Sequence, residues 1–386
     1  MSVNALPTAV RRPLTLLEKV LRVDWIVLLL ASLVAGVGLA TLYSVAGGSF
    51  HPLAERHALR FLVGVGLVLL MALVPPRVWI GLAYPVYVVA VLALVLVALV
   101  GAEAMGARRW IALSGGLTFQ PSELMKVALI AALARYYQWL APARVSEPLW
   151  LLPPLALIAL PVLLTLRQPD LGTAVLFALV GLGMMFLAGV NWLYFATGAI
   201  AVVIATPFIW DGLHDYQRRR IEVFLDPDRD PLGSGYHITQ SKIALGSGGI
   251  DGKGFMQGSQ SHLDFLPEKH TDFAFTMFGE EWGFVGAILL IALYASMIGL
   301  LMLRAAGGAS QFARLVTAGA AMTLFIYVFI NIAMVTGLVP VVGVPLPLVS
   351  YGGSAMLSLM AALGLAMSVK VHGRDTPRRT DIGGLW

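Results

Sequence analysis

The sequence contains no cysteine among its 386 residues, and this absence removes several classes of chemistry. Without cysteine there is no disulfide to hold exposed loops together, no thiolate nucleophile and no cysteine-ligated metal. Cysteine therefore gives no information about the redox state of the compartment in which the chain works.

Charged residues are scarce as well. They make up 12% of the chain, against about 25% in a typical soluble domain. Hydrophobic residues make up 59%, and the mean hydropathy is +0.84. This composition predicts a chain that lives in a lipid bilayer. The basic residues near the N-terminus precede an apolar run of full membrane length without a small-residue cleavage pattern, so we interpret that run as a retained helix.

Membrane spans are predicted where about 20 residues can cross without carrying a charge. The clear cases are residues 25–43, 79–101, 149–166 and 282–303. Two longer uncharged stretches each provide two spans: 171–210 breaks near 189–192, and 315–369 is divided by Pro340, Pro345 and Pro347. Weaker spans cover 59–74 and 122–140. The sequence therefore predicts an all-α polytopic membrane protein with ten transmembrane helices.

Lysine and arginine in the short loops indicate the orientation, because cytoplasmic loops retain them. They place both termini in the cytoplasm. The predicted organisation is a cytoplasmic segment 1–22, a ten-helix domain 23–370 and a basic cytoplasmic tail 371–386. The net charge of +5 is explained by this topology and by attraction to anionic lipids, so nucleic-acid binding is not expected.

One long extracytoplasmic loop, residues 211–272, then lies between helices 7 and 8. Loops of this length are usually functional or disordered. This loop is rich in apolar residues and glycine-containing turns, so we expect a lid of short helices over an outward-opening cavity. Its glycines do not match a phosphate-binding loop, which needs a preceding strand and a following helix.

Asp272 is the most informative residue of the loop, because it ends a polar run immediately before an apolar segment that begins near Ala274. A carboxylate at the mouth of a membrane helix often marks a functional pathway. The structural alternative is a solvated helix start, with Thr271 as N-cap and Asp272 in the first turn. The residues alone leave both interpretations open.

Four further polar clusters fall on the same predicted face. Each has a structural alternative: a snorkelling arginine at 106–110, an ion pair between Glu123 and Lys126, a tight turn at 168–173, and close helix packing at 347–354. Each cluster alone is weak. All five at one membrane face are what a single composite site requires.

These motifs, in this order, resemble the SEDS family (shape, elongation, division and sporulation). The resemblance runs over nearly the whole chain and is densest from Asp226-Pro227 through Glu281. The segment Gln257-Gly258-Ser259-Gln260-Ser261-His262-Leu263-Asp264-Phe265-Leu266-Pro267-Glu268 is similar to the branch of the family that acts in cell elongation rather than in division.

The resemblance implies a peptidoglycan glycosyltransferase that polymerises lipid II at the outer face of the bacterial cytoplasmic membrane. Asp272 matches the essential aspartate of the family and is the expected general base. A helix N-terminus beside it is expected to keep it ionised and weakly basic. Arg109 and Lys126 match cations that would hold the departing diphosphate. The remaining expected substrate-binding residues are Glu123, Gln168, Asp170, His270, Ser350 and Ser354.

The resemblance also implies a class B penicillin-binding protein and membrane proteins of the elongation complex as partners. A divalent cation, Mg²⁺ or Mn²⁺, is left open, because Mg²⁺ often binds through one or two carboxylates and substrate phosphates. From their positions along the helix, Glu280 and Glu281 are expected to be structural groups that are paired or hydrogen-bonded. Two other functions remain: a lipid II flippase, and a non-catalytic scaffold for the penicillin-binding protein.

Overall fold

The computed structural model describes residues 14–104, 107–112, 118–213, 215–230, 233–262, 266 and 268–373. Most of them are helical. The helices up to the long loop are α1 Leu16–Leu21, α2 Trp25–Val45, α3 Leu53–Leu73, α4 Pro76–Val100, α5 Pro121–Trp139, α6 Pro148–Leu166, α7 Leu171–Leu187 and α8 Trp192–Gly212. The later helices are α9 Asp215–Leu225, α10 Ser234–Ser247, α11 Ser259–His262, α12 Ala274–Ala306, α13 Gln311–Val335 and α14 Gly353–Val371.

Seven of the described helices are long and apolar enough to cross a membrane: α2, α3, α4, α6, α12, α13 and α14. Helix α7 and the apolar part of α8, Trp192–Phe208, are shorter, and α5 carries Glu123, Lys126 and Arg135. Each predicted span coincides with one of these ten helices. The chain is therefore a mostly helical protein with several membrane-spanning helices.

The two predicted breaks are present. The chain leaves α7 at Leu187 and enters α8 at Trp192, where the Asn191 side chain caps the new helix by accepting a hydrogen bond from the Leu193 amide at 3.0 Å. Between α13 and α14, residues 336–352 contain no regular helix or strand. We call residues 336–352 the proline segment, because they contain Pro340, Pro345 and Pro347, the three prolines that predicted this break.

Helices α13 and α14 form the interior of the bundle, whereas α3, α4, α6 and α12 leave most of their surface exposed. The contact between α3 and α14 depends on small residues. A Cβ at Gly64 would lie 2.9 Å from the Met360 side chain, and one at Gly364 would lie 3.1 Å from the Val68 Cα. Glycines therefore let these two helices approach closely, as is typical of helix packing in membranes.

Helix α12 is broken at Gly283, whose φ of 64° and ψ of −164° are not helical. The loop before it packs on the break: the Phe284 amide donates to the Gly249 carbonyl at 2.9 Å, and the Lys253 amide donates to the Glu280 carbonyl at 3.0 Å. The membrane-length part of α12 thus starts after Gly283. Asp272 therefore precedes a short buried helical segment, and the predicted span 282–303 coincides with the part of α12 that follows the break.

The long loop forms short helices, α9 to α11, in its described part. The Ser241 hydroxyl of α10 bonds to the Val335 carbonyl of α13 at 2.7 Å, and also lies 2.7 Å from the Thr276 hydroxyl of α12. These buried bonds dock α10 on the bundle.

Three short antiparallel strands, β1 Ala102–Ala104, β2 Ala107–Ala112 and β3 Thr118–Phe119, precede α5. The all-α expectation did not include this small sheet. Its strands are two to six residues long and are too short to show a clear alternating pattern in the sequence.

Candidate functional site

Asp272 lies in the turn 268–273 before α12. The Thr271 side chain is turned back and donates to Glu268 Oε2 at 2.7 Å, and the N-cap position of α12 is Phe273, which makes no side-chain cap bond. No acidic residue stands in the first turn of the helix. The structural alternative, with Thr271 as N-cap and Asp272 inside the first turn, is therefore wrong.

The electrostatic surroundings of Asp272 also differ from expectation. Burial raises the pKa of its carboxyl to about 6, and the negative charge of Glu268 adds to this, whereas Arg220 acts in the opposite direction. Burial disfavours the charged form of a carboxyl group. The sequence-based expectation was an ionised and weakly basic carboxyl; the raised pKa instead indicates a stronger base that is still mostly ionised at pH 7, because burial is the largest cause of the shift.

Asn331 holds the backbone of Asp272 in place. Its buried amide donates to the Asp272 carbonyl at 2.9 Å and to the Val344 carbonyl of the proline segment at 2.7 Å. Across this junction a Cβ added to Gly343 would lie 3.4 Å from Asp272 Oδ2. The Asp272 carboxylate thus faces the proline segment, at a point where the chain carries no side chain.

A second polar cluster lies on α5, α13 and α14. Lys126 pairs with Glu123 Oε1 at 2.8 Å and contacts the Tyr327 hydroxyl, and the Ser358 hydroxyl donates to Glu123 Oε2 at 2.5 Å. All four side chains are at least partly buried. The ion pair that the spacing of Glu123 and Lys126 allowed is therefore formed, inside the protein.

Helix α13 links the two clusters. Tyr327, which contacts Lys126, and Asn331, which holds Asp272, are four residues apart and occupy successive turns of α13. At a rise of 1.5 Å per residue, their Cα atoms differ by about 6 Å along the helix axis. The structure therefore places Asp272, the expected base, and Lys126, an expected cation, against successive turns of α13.

Asp170 and Gln168 lie at the start of α7. Asp170 caps this helix, accepting from the Thr173 hydroxyl at 2.8 Å, and it interacts electrostatically with Tyr327. Gln168 donates to the Leu94 carbonyl of α4 at 2.8 Å. Asp170 therefore belongs to the neighbourhood of Lys126, whereas the Gln168 amide joins two helices.

The remaining expected residues lie around the proline segment. The Ser350 hydroxyl accepts from the Leu346 amide at 2.8 Å, which closes the segment on itself, and Ser354 is partly buried in the first turn of α14. The His270 carbonyl accepts from the Tyr351 amide at 2.8 Å, and the two rings lie edge to face at 6.0 Å. His270 therefore ties the Asp272 turn to the proline segment.

Arg60 of α3 is a further cation close to the proline segment. Its guanidinium lies 4.5 Å from the centre of the Tyr351 ring, and a Cβ at Gly353 would lie 2.6 Å from Arg60 Nε. A cation over an aromatic face is stabilised when partly desolvated. Arg60 thus places a permanent positive charge beside the residues that hold the Asp272 turn.

Arg109 lies in β2, and its side chain is outside the described residues. Among the side chains that the structure describes, no group of three or more His, Asp or Glu is arranged to hold a metal ion.

The expectation that Glu280 and Glu281 are paired or hydrogen-bonded is confirmed. Glu280 is fully buried and accepts from Lys253 at 2.6 Å, from the Ser259 hydroxyl at 3.0 Å and from the Gln260 amide at 3.2 Å. Glu281 accepts from the Ser44 hydroxyl of α2. These bonds fasten the long loop and α2 to the segment before the Gly283 break.

Sequence reasoning missed Tyr327, Asn331, Ser358 and Arg60. All four lie within apolar helices, and polar residues inside membrane helices usually mark function. That signal was present for Asn331 and Tyr327, which share one face of α13 at a spacing of four.

Three comparisons identify relatives. The model of the FtsW/RodA/SpoVE family, described as cell cycle proteins, matches residues 21–375. Peptidoglycan glycosyltransferase MrdB of Escherichia coli K12 is 46% identical over 330 residues, which cover 85% of this chain and 88% of MrdB. A chain of a peptidoglycan synthase complex that coordinates polymerization and crosslinking has a TM-score of 0.79 at 33% identity, covering 92% of this chain and 99% of its own. The rod shape determining protein RodA of Thermus thermophilus has a TM-score of 0.68 at 30% identity, covering 90% and 96%.

Proposed function

Because this chain belongs to the FtsW/RodA/SpoVE family of cell cycle proteins, we propose that it is a peptidoglycan glycosyltransferase that polymerises lipid II during cell elongation. Lipid II is a disaccharide-pentapeptide carried on undecaprenyl diphosphate. The name of the MrdB relative and the likeness to RodA support this activity and the elongation branch.

The observation that supports catalysis best is the environment of Asp272. A general base works best when its pKa is near the operating pH. A carboxyl with a pKa of about 6 is mostly ionised at pH 7, yet it is a stronger base than an exposed aspartate. Asn331 and the turn at Glu268 fix the backbone on which this carboxyl is mounted.

The proposed reaction is a single displacement. The 4-hydroxyl oxygen of the acceptor sugar attacks C1 of the donor muramyl sugar, and the bond from C1 to the lipid diphosphate breaks. Asp272 takes the hydroxyl proton, and the electron pair of the broken bond leaves with the undecaprenyl diphosphate. Attack opposite to the leaving group inverts the configuration at C1. One base and a stabilised diphosphate suffice for this chemistry.

The departing diphosphate needs fixed positive charge. Lys126 and Arg109 are the proposed contacts, and Arg60 is added to them because it lies beside the proline segment. Lys126 is already paired with Glu123 and in contact with Tyr327, so its ammonium is held in one position. Asp170, Gln168, His270, Ser350 and Ser354 are proposed to shape the surrounding substrate site.

A divalent cation is proposed only to help stabilise the charge of the departing diphosphate. Glu268, which is near enough to Asp272 to raise its pKa, and the substrate phosphates would hold such an ion, since Mg²⁺ commonly binds through one or two carboxylates together with substrate phosphates. Such an ion would neutralise charge on the leaving group. The residues would still carry out the proton transfer and the positioning.

The site is proposed to face the outside of the cytoplasmic membrane, with ten helices crossing and both termini inside. The distribution of lysine and arginine supports this orientation. The substrate would enter laterally between helices, since its lipid cannot leave the bilayer.

The proposed partner is a class B penicillin-binding protein, which crosslinks the new strands within a larger elongation complex. Its support is the likeness to a chain from a complex that coordinates polymerization with crosslinking. A pure scaffold or a lipid II flippase would need the same membrane helices but no proton acceptor at Asp272.

Reconstitution of the purified protein with lipid II separates these functions. We expect glycan strands from this protein together with its penicillin-binding protein, and none from the partner alone. Lipid II movement between leaflets without glycan strands would favour the flippase. If the partner makes the same yield of glycan strands with and without this protein, this protein is a scaffold and not the polymerase.

A further inference from the structure

A second polar site lies at the end of the bundle opposite to Asp272. It is a cavity of about 530 Å³ between the start of α2, the end of α12, the start of α13 and the end of α14. None of its residues takes part in the proposed catalysis. Three cations, Arg22, Arg304 and Lys370, and one carboxylate, Asp24, line it, which gives a formal charge of +2.

Asp24 fixes two of these cations. It is 3% exposed, and its Oδ2 accepts from Arg304 Nε at 2.8 Å and from Lys370 Nζ at 2.6 Å. Only the Nε of Arg304 is used in this pair, and its terminal N–H groups have no partner within the described part of the chain. Because those groups form a planar fork, they can donate two parallel hydrogen bonds to a phosphate.

The rest of the lining is mainly apolar. Val27 of α2, Leu301 of α12 and Met367 of α14 are buried in its walls. Leu303, which also lines the cavity, is 73% exposed, so the cavity continues onto an apolar outer surface of α12. A cationic rim above an apolar wall that opens sideways fits a molecule with an anionic head and a hydrocarbon chain.

We propose that this cavity binds the phosphate headgroup of an anionic phospholipid from the adjacent leaflet. Arg304 and Lys370, held by Asp24, contact the phosphate, and Arg22 closes the rim. Basic pockets between membrane helices are suited to such headgroups. A zwitterionic headgroup is disfavoured because its ammonium group would meet the same cations. The proposal does not rest on the glycosyltransferase function; only the identity of the leaflet rests on the proposed orientation.

The test measures lipid binding to the full-length protein in neutral detergent. Phosphatidylglycerol, phosphatidylcholine and glycerol 3-phosphate are titrated separately, with the melting temperature and the mass of retained lipid as readouts. We expect phosphatidylglycerol alone to raise the melting temperature and to be retained. Each cation removed should weaken its binding roughly fivefold, so Arg22→Gln/Lys370→Gln should weaken it roughly 25-fold.

The matched control is Arg77→Gln, which removes an exposed cation from the start of α4, outside the cavity. It should leave phosphatidylglycerol binding unchanged. The proposal is overturned if phosphatidylcholine binds as well as phosphatidylglycerol, if glycerol 3-phosphate binds as well as the lipid, or if Arg77→Gln weakens binding as much as the double variant. If the double variant melts earlier than wild type without lipid, the lipid retained by Arg22→Gln alone is measured. Roughly fivefold weaker retention of phosphatidylglycerol than in wild type supports the proposal, and wild-type retention overturns it.

Discussion

Asp272 combines two properties that oppose each other. Burial makes its carboxyl a better base, but an ionised carboxyl that has lost water also costs stability. Its pKa in the folded protein is about 6, against an ordinary value of 3.8. Between these values the unfolded chain has released a proton that the folded chain retains, so stability falls as the pH rises through this window. Above about pH 6 the whole cost is present.

We therefore expect Asp272→Asn to raise the melting temperature at pH 7.5, because the amide carries no charge to desolvate. The gain in unfolding free energy is at most about 3 kcal/mol, from about 1.4 kcal/mol per pKa unit. At pH 5 the gain should be smaller, since most of the wild-type carboxyl is then protonated. Thermal melts at both pH values check this. A variant that melts earlier than wild type at pH 7.5 would contradict the raised pKa.

Asn331 is proposed as a positioning residue for Asp272. Asn331→Leu keeps the size of the side chain but removes both donated bonds, so the Asp272 turn should move relative to the proline segment. We expect polymerisation to fall about tenfold or more, and the pH midpoint of the residual rate to shift away from about 6.

The matched control is Thr323→Val on the same helix, which removes a buried bond from the Thr323 hydroxyl to the Gly319 carbonyl. It should leave the pH midpoint in place. If Asn331→Leu lowers only the melting temperature and keeps the wild-type pH midpoint, the side chain has a structural role alone.

At the scale of helices, uncharged apolar runs and the positions of prolines predicted where most helices of the bundle begin and end. The break between α7 and α8 was predictable because Gly189 and Asn191 favour a turn and Trp192 favours an interface. The break at Gly283 was not predictable, because one glycine in an apolar run is usually tolerated in a helix. Its cause is tertiary: the loop containing Gly252 approaches so closely that a Cβ at Gly283 would lie 2.3 Å from the Gly252 amide nitrogen.

Substitution at this break should therefore be costly. Gly283→Ala places a Cβ against backbone and requires a positive φ of an alanine. We expect a large loss of melting temperature or of folded yield. Gly299→Ala, on the same helix with nothing near its added Cβ, should be neutral or slightly stabilising. Equal melting temperatures for the two variants would mean that the break is not required.

For the candidate site, the sequence predicted the individual residues but not the contacts that join them. Motifs in the sequence marked Asp272, Glu123, Lys126 and Asp170, but they could not indicate that α13 joins these residues through Tyr327 and Asn331. Such links depend on which faces of helices meet. That information lies in the packing rather than in the order of motifs.

At the scale of the whole molecule, the absence of cysteine makes the proposed topology directly testable. Asp228 lies in the long loop, and Arg144 lies between α5 and α6. In cells, Asp228→Cys should react with a membrane-impermeant maleimide, and Arg144→Cys should react only after the membrane is opened. Labelling of Arg144→Cys in intact cells would overturn the proposed orientation.

The wild-type chain, which has no thiol, is the blank for this experiment. The result also bears on the cavity around Asp24, because the positive end of the bundle and the Asp272 end must lie on opposite sides of the membrane. Labelling therefore decides which leaflet supplies each ligand.

Asp272 is proposed to accept the proton from the attacking hydroxyl. The most direct measurement is glycan chain formation from lipid II by Asp272→Asn together with its partner, compared with Asp228→Asn, which changes an exposed carboxylate in the same loop. Asn keeps the size of the side chain but cannot take the proton. We predict near-background polymer from Asp272→Asn, with lipid II and the partner still bound, and wild-type polymer from Asp228→Asn. Long glycan chains made by Asp272→Asn would show that Asp272 is not the general base.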